Sequence, residues 1–187
     1  MNRLASFALS ALLLPAAVFA ADTYKVDPVH SCTIFRVGHA NIGIVYGQFK
    51  ESGGQFTIDE ADPTQSSFDI QVQAASVDSH VEKRDNHLKS PDFLNAKQYP
   101  TITFKSTSVK KVDDKHMEVT GDFTLHGVTK SITIPVELIG KGEFPKGTQR
   151  FGIETVFEIK QSDYQMKGAA MGTSDVIKLM VSAEGTR

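Results

Sequence analysis

Ser67-Phe68-Asp69-Ile70-Gln71-Val72-Gln73-Ala74 alternates polar and apolar side chains along its whole length. Successive side chains of a strand point to opposite faces, so Phe68, Ile70, Val72 and Ala74 share one side and Ser67, Asp69, Gln71 and Gln73 the other. A helix would scatter the same residues around its circumference. The stretch therefore reads as a β-strand with one face against a core and the other in water.

The same period recurs on both sides of it. Upstream, Thr33, Phe35, Val37 and His39 fall on one face, with Cys32, Ile34 and Arg36 on the other. Val45, Gly47 and Phe49 continue the pattern after an Asn41-Ile42-Gly43 turn. Ser52-Gly53-Gly54 reads as a second turn, leading to Phe56 and Ile58, and Asp62-Pro63 closes that unit. Downstream, Ile102 and Phe104 alternate with threonines. Met117, Val119, Phe123 and Leu125 come next, then Ile132, Ile134, Val136 and Leu138 after the His126-Gly127-Val128 turn. Beyond a loop around Pro145 come Ile153, Thr155, Phe157 and Ile159, and Ile177, Leu179, Val181 and Ala183 end the chain's pattern. Pro135 cannot donate a ladder hydrogen bond, so its strand is expected to be bulged or at an edge there.

One segment breaks the rhythm. Ser79-His80-Val81-Glu82 has the form of a capping box, and Lys83 to Lys89 suits a short helix that Ser90-Pro91 ends. Val81, Arg84 and Leu88 fall roughly on one face of it, which predicts a helix lying across the sheet or across an opening in it. About eight strands at short spacing, with no strand–helix–strand alternation, predict an all-β domain: a closed antiparallel barrel or a sandwich. Closure also removes the exposed edges that invite aggregation.

The first twenty residues are of another kind. Arg3 supplies a short positive head, Leu4 to Leu14 an apolar run, and Val18-Phe19-Ala20 the small or aliphatic positions of a cleavage site. Residues 1–20 therefore read as a cleavable secretory signal peptide, with cleavage after Ala20. The run falls short of the roughly 20 apolar residues of a bilayer span, so no transmembrane anchor is expected. The remainder of the chain, 21–187, has the size of one domain. The whole chain carries a net charge of −2. That is too mild to mark a nucleic-acid partner or a polybasic lipid contact. The single cysteine, Cys32, can form no internal disulfide, and it reads as a buried small hydrophobe in a strand.

Chemistry-bearing patterns are weak. The histidines at 30, 39, 80, 87, 116 and 126 include no pair at metal-ligand spacing, so neither a metal nor a cofactor is expected. Asp27-Pro28-Val29-His30-Ser31 and Arg84-Asp85-Asn86-His87-Leu88-Lys89-Ser90 each hold Ser, His and Asp, but no nucleophile elbow accompanies them. No catalytic residue is assigned. Twelve Phe and no Trp, mostly at alternating strand positions, would either fill a small barrel or line a cavity in a wider one.

The run Glu82 to Asn95, EKRDNHLKSPDFLN, followed by Tyr99-Pro100-Thr101-Ile102-Thr103-Phe104, strongly resembles the YceI-like family of bacterial periplasmic proteins. Tyr24 to Ser31, Phe35 to His39, Val45 to Phe49, Gly121 to Lys130 and Ser162-Asp163-Tyr164 agree in order and spacing, so the likeness covers essentially all of 21–187. It departs at Cys32, where relatives often carry a small polar residue, and across Met166 to Ser174, which lacks the expected aromatic and glycine pattern.

The resemblance implies an extended, lipocalin-like antiparallel barrel with a short helix near one end. It implies an apolar tunnel for a polyisoprenoid, an isoprenoid quinone or a fatty-acid-like chain, and no enzymatic activity. Carried onto this chain, Phe35, Val37, Phe49, Phe56, Ile70, Val72, Phe104, Phe123, Leu125, Ile134, Val136 and Phe157 are the expected lining. Phe93 and Leu94 are expected to close one end, and His39, Arg84 and His87 to meet a polar head group. For Arg84, Asp85 and His87 the competing reading is structural, tying the helix down by hydrogen bonds. The working expectation is a periplasmic carrier or scavenger of such lipids, and a homodimer stays open as its assembly. The rival readings are a secreted Ser/His/Asp hydrolase and a stress-response interaction module whose barrel is solid.

Overall fold

Each alternating run forms a strand. The structure, a computed structural model, describes residues 21–187; the expected signal peptide lies outside the described residues. The strands are β1 (Asp22–Val26), β2 (Cys32–His39), β3 (Gly43–Phe49), β4 (Ser52–Ile58), β5 (Ser67–Gln73), β6 (Val77–Asp78), β7 (Thr101–Lys111), β8 (His116–Leu125), β9 (Val128–Glu143), β10 (Gln149–Lys160) and β11 (Thr173–Thr186). One helix, α1 (Glu82–Leu88), interrupts them. All pairings are antiparallel.

Eleven strands make eight staves. β1 and β2 both lie along β11, at Lys25↔Thr186 and from Cys32↔Ser182 to His39↔Thr173, and so form one broken stave. β4 and β3 continue each other on the next, and β5 and β6 on the one after. The breaks are stitched together: Lys50 N–H donates to the Ser76 carbonyl (3.1 Å), and Glu51 N–H donates to Ser76 Oγ (3.1 Å). From β5 the ring runs through β7, β8, β9, β10 and β11 and closes on β1, giving an eight-stranded barrel.

Gly53 and Gly54 correct one turn expectation. They belong to β4, and the chain bends at Lys50–Glu51 instead. Gly54 has φ +113°, and a Cβ there would stand 2.1 Å from the Asp69 carbonyl oxygen. Glycine is required because the neighbouring strand approaches too closely for any side chain.

The two ends of the barrel differ. At the end formed by β1, β4 and the first half of β10, four aromatic rings fill the interior. Tyr24 lies 5.6 Å from Phe56 and 5.4 Å from Phe151, and Phe56 lies 6.3 Å from Phe68, all between ring centroids. These rings bury a large apolar area and lock each other's orientation. Cys32, by contrast, is exposed, not buried. Alternation puts it on the opposite face of β2 from Thr33 and Phe35, and that face is the outside.

The plugged end is fastened on its rim by Arg150. Its guanidinium donates to Asp27 (2.9 Å) and to Glu184, while the Asp27 N–H donates to the Glu184 carbonyl (2.7 Å). Hydrogen bonds from the His30 ring, from Arg150 and from the Val29 N–H hold the Asp27 carboxyl well below the usual carboxylate range. A carboxyl with a depressed folded pKa stabilises the fold above its unfolded pKa, near 4, and loses that contribution as pH falls. Asp27→Asn is therefore expected to lower the thermal midpoint at neutral pH and to flatten its fall between about pH 5 and pH 2. Parallel melting curves for the two proteins across that range would contradict the assignment.

Candidate functional site

Above the plug the interior opens. The in-register strands β10, β11 and β2 lay out its levels one by one. Phe151 and Gly185 mark the plug, and Ile153 and Ala183 the level above it. Then come Thr155, Val181 and Thr33, next Phe157, Leu179 and Phe35, then Ile159, Ile177 and Val37, with Gln161 at the far end. The cavity begins at the threonine level and runs to the helix end. Ile70 and Val72 of β5, Ile102 and Phe104 of β7, Phe123 and Leu125 of β8 and Ile134 of β9 complete its walls, and Leu88, Phe93 and Leu94 roof it.

Thr155 to Gln161 is six residue steps, about 20 Å along the chain and, at the tilt of barrel strands, about 15 Å along the barrel axis. The open volume along it is about 160 Å³. A volume of that size accepts a group as large as a benzene ring. The site is therefore a thin tunnel, largely filled by its own side chains. A long chain has to turn aside flexible lining such as Leu88, Leu94 and Met166 to thread it. Of the twenty-five lining residues, twenty are hydrocarbon or thioether side chains, five are Thr or Gln, and none is ionisable. Gln161, 2% exposed, is held by its own bonds: Nε2 donates to Thr173 Oγ1 (2.9 Å) and to the Ser174 carbonyl (2.6 Å).

The ladder has a slot: β9 and β10 pair only from Glu143↔Gln149 to Glu137↔Glu154, and no backbone pairing joins Val128–Val136 to Thr155–Lys160. Ile134 and Phe157 flank the unpaired region from inside. Its far end is bridged by Lys130 Nζ donating to Asp163 (2.8 Å) and His126 Nδ1 bonding the Tyr164 carbonyl (2.9 Å). Pro135 sits on this stretch. The β8–β9 ladder passes through it unbroken, so its missing N–H falls on the side where no partner is needed. The edge expected at this proline is the slot.

α1 is fixed over the end by an arrangement different from the expected capping box. The N-cap is Val81, with no side-chain bond. Ser79, 2% exposed, is turned to Asp85: its N–H donates to Oδ1 at 2.8 Å and its hydroxyl donates to the same oxygen. Arg84 then donates Nε–H to Ser79 Oγ (2.7 Å) and Nη2–H to the Ser79 carbonyl (2.6 Å). With its fork committed there, Arg84 does not reach the tunnel, and the structural alternative for it and Asp85 describes the contacts found.

Phe35, Val37, Phe49, Ile70, Val72, Phe93, Leu94, Phe104, Phe123, Leu125, Ile134 and Phe157 all stand in the tunnel lining. Five expected positions do not. Phe56 points inward but belongs to the plug, and Val136 lies one inward step nearer the plug than Ile134. His39 has passed the rim at the end of β2 and is exposed. His87 is half exposed, with Nε2 3.6 Å from Asp92 and its ring edge-on to Phe93, which it backs from outside. Arg84 is the fifth.

Other lining residues lie outside the expected set although the pattern marks them. Ile102, Ile159, Ile177, Leu179 and Val181 belong to alternating sets, and Thr33 and Thr155 share faces with Phe35 and Phe157. Gln161 and Met166 carry no periodic signal.

Neither Ser/His/Asp segment joins a serine to a histidine. His30 Nδ1 bonds Asp27 (2.8 Å), but Ser31 Oγ donates to the Asp27 carbonyl (2.7 Å). In the second segment Asp85 is bound to Ser79, and Ser90 Oγ accepts from the Asp92 N–H (3.3 Å). Asp27, His30 and Glu184 cluster as metal-ligand types do, yet Arg150 already bridges both carboxylates with a positive charge.

Known proteins share this outline. The family model described as the YceI-like domain matches residues 24–185. Protein YceI of Escherichia coli O157:H7 is 39% identical over 180 residues, covering 95% of this chain and 94% of the relative. Among solved structures, Burkholderia cenocepacia BcnA superposes with a TM-score of 0.76 at 24% identity, over 85% of this chain and 98% of that one. A polyisoprenoid binding domain from Saccharophagus degradans, implicated in plant cell wall breakdown, superposes with a TM-score of 0.63 at 14% identity, over 87% of this chain and 97% of that one.

Proposed function

Because this chain belongs to the YceI-like domain family, we propose that it binds an apolar chain lipid, polyisoprenoid or similar, in the barrel tunnel and carries or sequesters it in the periplasm. The observation that carries this reading is the lining: a thin passage about 15 Å long with no ionisable side chain among the described residues that line it. A protein that needed only a stable barrel would pack this space as it packs the plug. Hydrocarbon moved from water into the tunnel gains about 0.8 kcal/mol per CH₂, so a chain is held with few polar contacts.

The polyisoprenoid binding domain of similar fold supports the ligand class. The export reading of residues 1–20 supports the compartment, where a lipid crossing water between membranes needs shelter.

Protein purified from a bacterial host without added lipid is expected to release a long-chain species into an organic extract, seen by mass spectrometry. Native mass spectrometry of the same sample should show one lipid mass per barrel. An extract without lipid, from protein that also fails to take up a polyprenol offered in detergent, would rule the proposal out.

A further inference from the structure

Two hydroxyls lie at the inner end of the tunnel with no hydrogen-bond partner among the described residues: Thr33 Oγ1 and Thr155 Oγ1. Thr33 is 6% exposed, and both residues line the cavity. Their positions are related by the ladder. Thr155 pairs with Val181 and Val181 with Thr33, so the two threonines flank one valine on three adjacent strands, about 10 Å apart along the ladder. This is the first open level above Ile153 and the plug.

We infer that Thr33 and Thr155 form a polar seat at the tunnel floor, which takes the uncharged head group (alcohol, carbonyl or amide) of an otherwise apolar chain. The ligand lies head inward, with its tail running toward α1. The inference rests on the lipid reading of the tunnel and narrows it to a class of head group.

The physical reason is the cost of an orphaned hydroxyl. A buried hydroxyl deprived of any partner is penalised by about 1–3 kcal/mol, and a pure hydrocarbon lying against this level would deprive both. A ligand with an oxygen or amide nitrogen at its inner end satisfies whichever of the two it reaches. A phosphate or carboxylate does not belong there: among the described residues no lysine, arginine or histidine lines the tunnel, and an ion without a counter-charge loses its hydration uncompensated. Two hydroxyls can both donate and accept, which suits a neutral group and gives no preference to an anion.

The test uses three probes with one carbon skeleton, phytol, phytane and phytyl phosphate, and reads their affinities for delipidated protein by native mass spectrometry. Wild-type protein is expected to prefer phytol over phytane, and phytol over phytyl phosphate, by about tenfold. The double variant T33V/T155V keeps the side-chain shapes and removes the hydroxyls. It should stay folded with no loss of thermal midpoint, because it removes unsatisfied polar groups, and its phytol-to-phytane ratio should fall close to one.

An unchanged ratio, or phytyl phosphate binding as tightly as phytol, overturns the polar seat while leaving the lipid tunnel standing. Failure of all three probes to bind wild-type protein overturns the tunnel reading and the seat with it.

Discussion

Phe56→Ala is expected to lower the unfolding free energy by about 3–5 kcal/mol, the range for removing a fully buried ring. Phe56 is 1% exposed and touches three other rings, Tyr24, Phe68 and Phe151. The barrel cannot collapse around the vacated space, because Phe56 pairs with Tyr24 on β1 and with Phe68 on β5, and both ladders hold their strands apart. Gly185 on β11 shows how closely the site is fitted: a Cβ there would stand 2.8 Å from the Phe56 ring. The full cavity penalty should therefore appear. Against a typical domain stability of about 5–15 kcal/mol it is a large fraction.

The measurement is equilibrium unfolding in guanidinium chloride, with the lipid content of each sample determined so that bound ligand does not mask the loss. A difference under about 1 kcal/mol would mean that these rings are not the plug. The corresponding change at Phe35, one of the tunnel walls, should cost less, because that ring already borders open space.

The contrast between Phe56 and Phe35 marks the limit of what the sequence discloses. Both occupy inward positions of alternating strands, and alternation reports only the face. Whether an inward ring meets a plug or a tunnel depends on which other rings share its level. That is decided by Tyr24, Phe68, Phe151 and Gly185, residues up to 129 positions from Phe56 in the chain and brought level by strand register. The barrel itself was legible because the longer strands repeat the period of two, with short connections between most neighbours.

The slot was half legible, since Pro135 announces a missing donor without saying which neighbour is absent. Charge by itself does not say what a side chain meets, for a related reason. Arg84 has the right chemistry for an anion, but Ser79, five residues earlier, occupies its fork. The Ser79 hydroxyl in turn is bound to Asp85, and the capping box that its spacing suggests does not form. Cys32 is the reverse case: its place opposite Phe35 in the pattern points outward, and the strand's period outweighs the general tendency of cysteine to be buried.

The sharpest functional expectation concerns the inner end of the tunnel. Leu179 and Val181 stand on adjacent levels of β11, flanked by Phe157 and Phe35 above and by Thr155 and Thr33 below. Replacing both with phenylalanine, L179F/V181F, places rings in the open passage. A chain stopped at that point loses contact with the inner levels. Excluding about four CH₂ groups at 0.8 kcal/mol each removes roughly 3 kcal/mol, about a hundredfold in affinity.

The sign of the stability change separates this from simple damage. Rings entering empty space fill a cavity, which commonly stabilises by about 0.5–2 kcal/mol, whereas rings forced into a packed core cost about 1–3 kcal/mol. The open volume of about 160 Å³ favours filling, so the variant is expected to unfold no earlier than wild type while its purified form carries little lipid. Phe157→Ala supplies the opposite case, with lower stability and lipid binding retained. If L179F/V181F carried lipid of the same length and amount as wild type, the chain would not run through this passage.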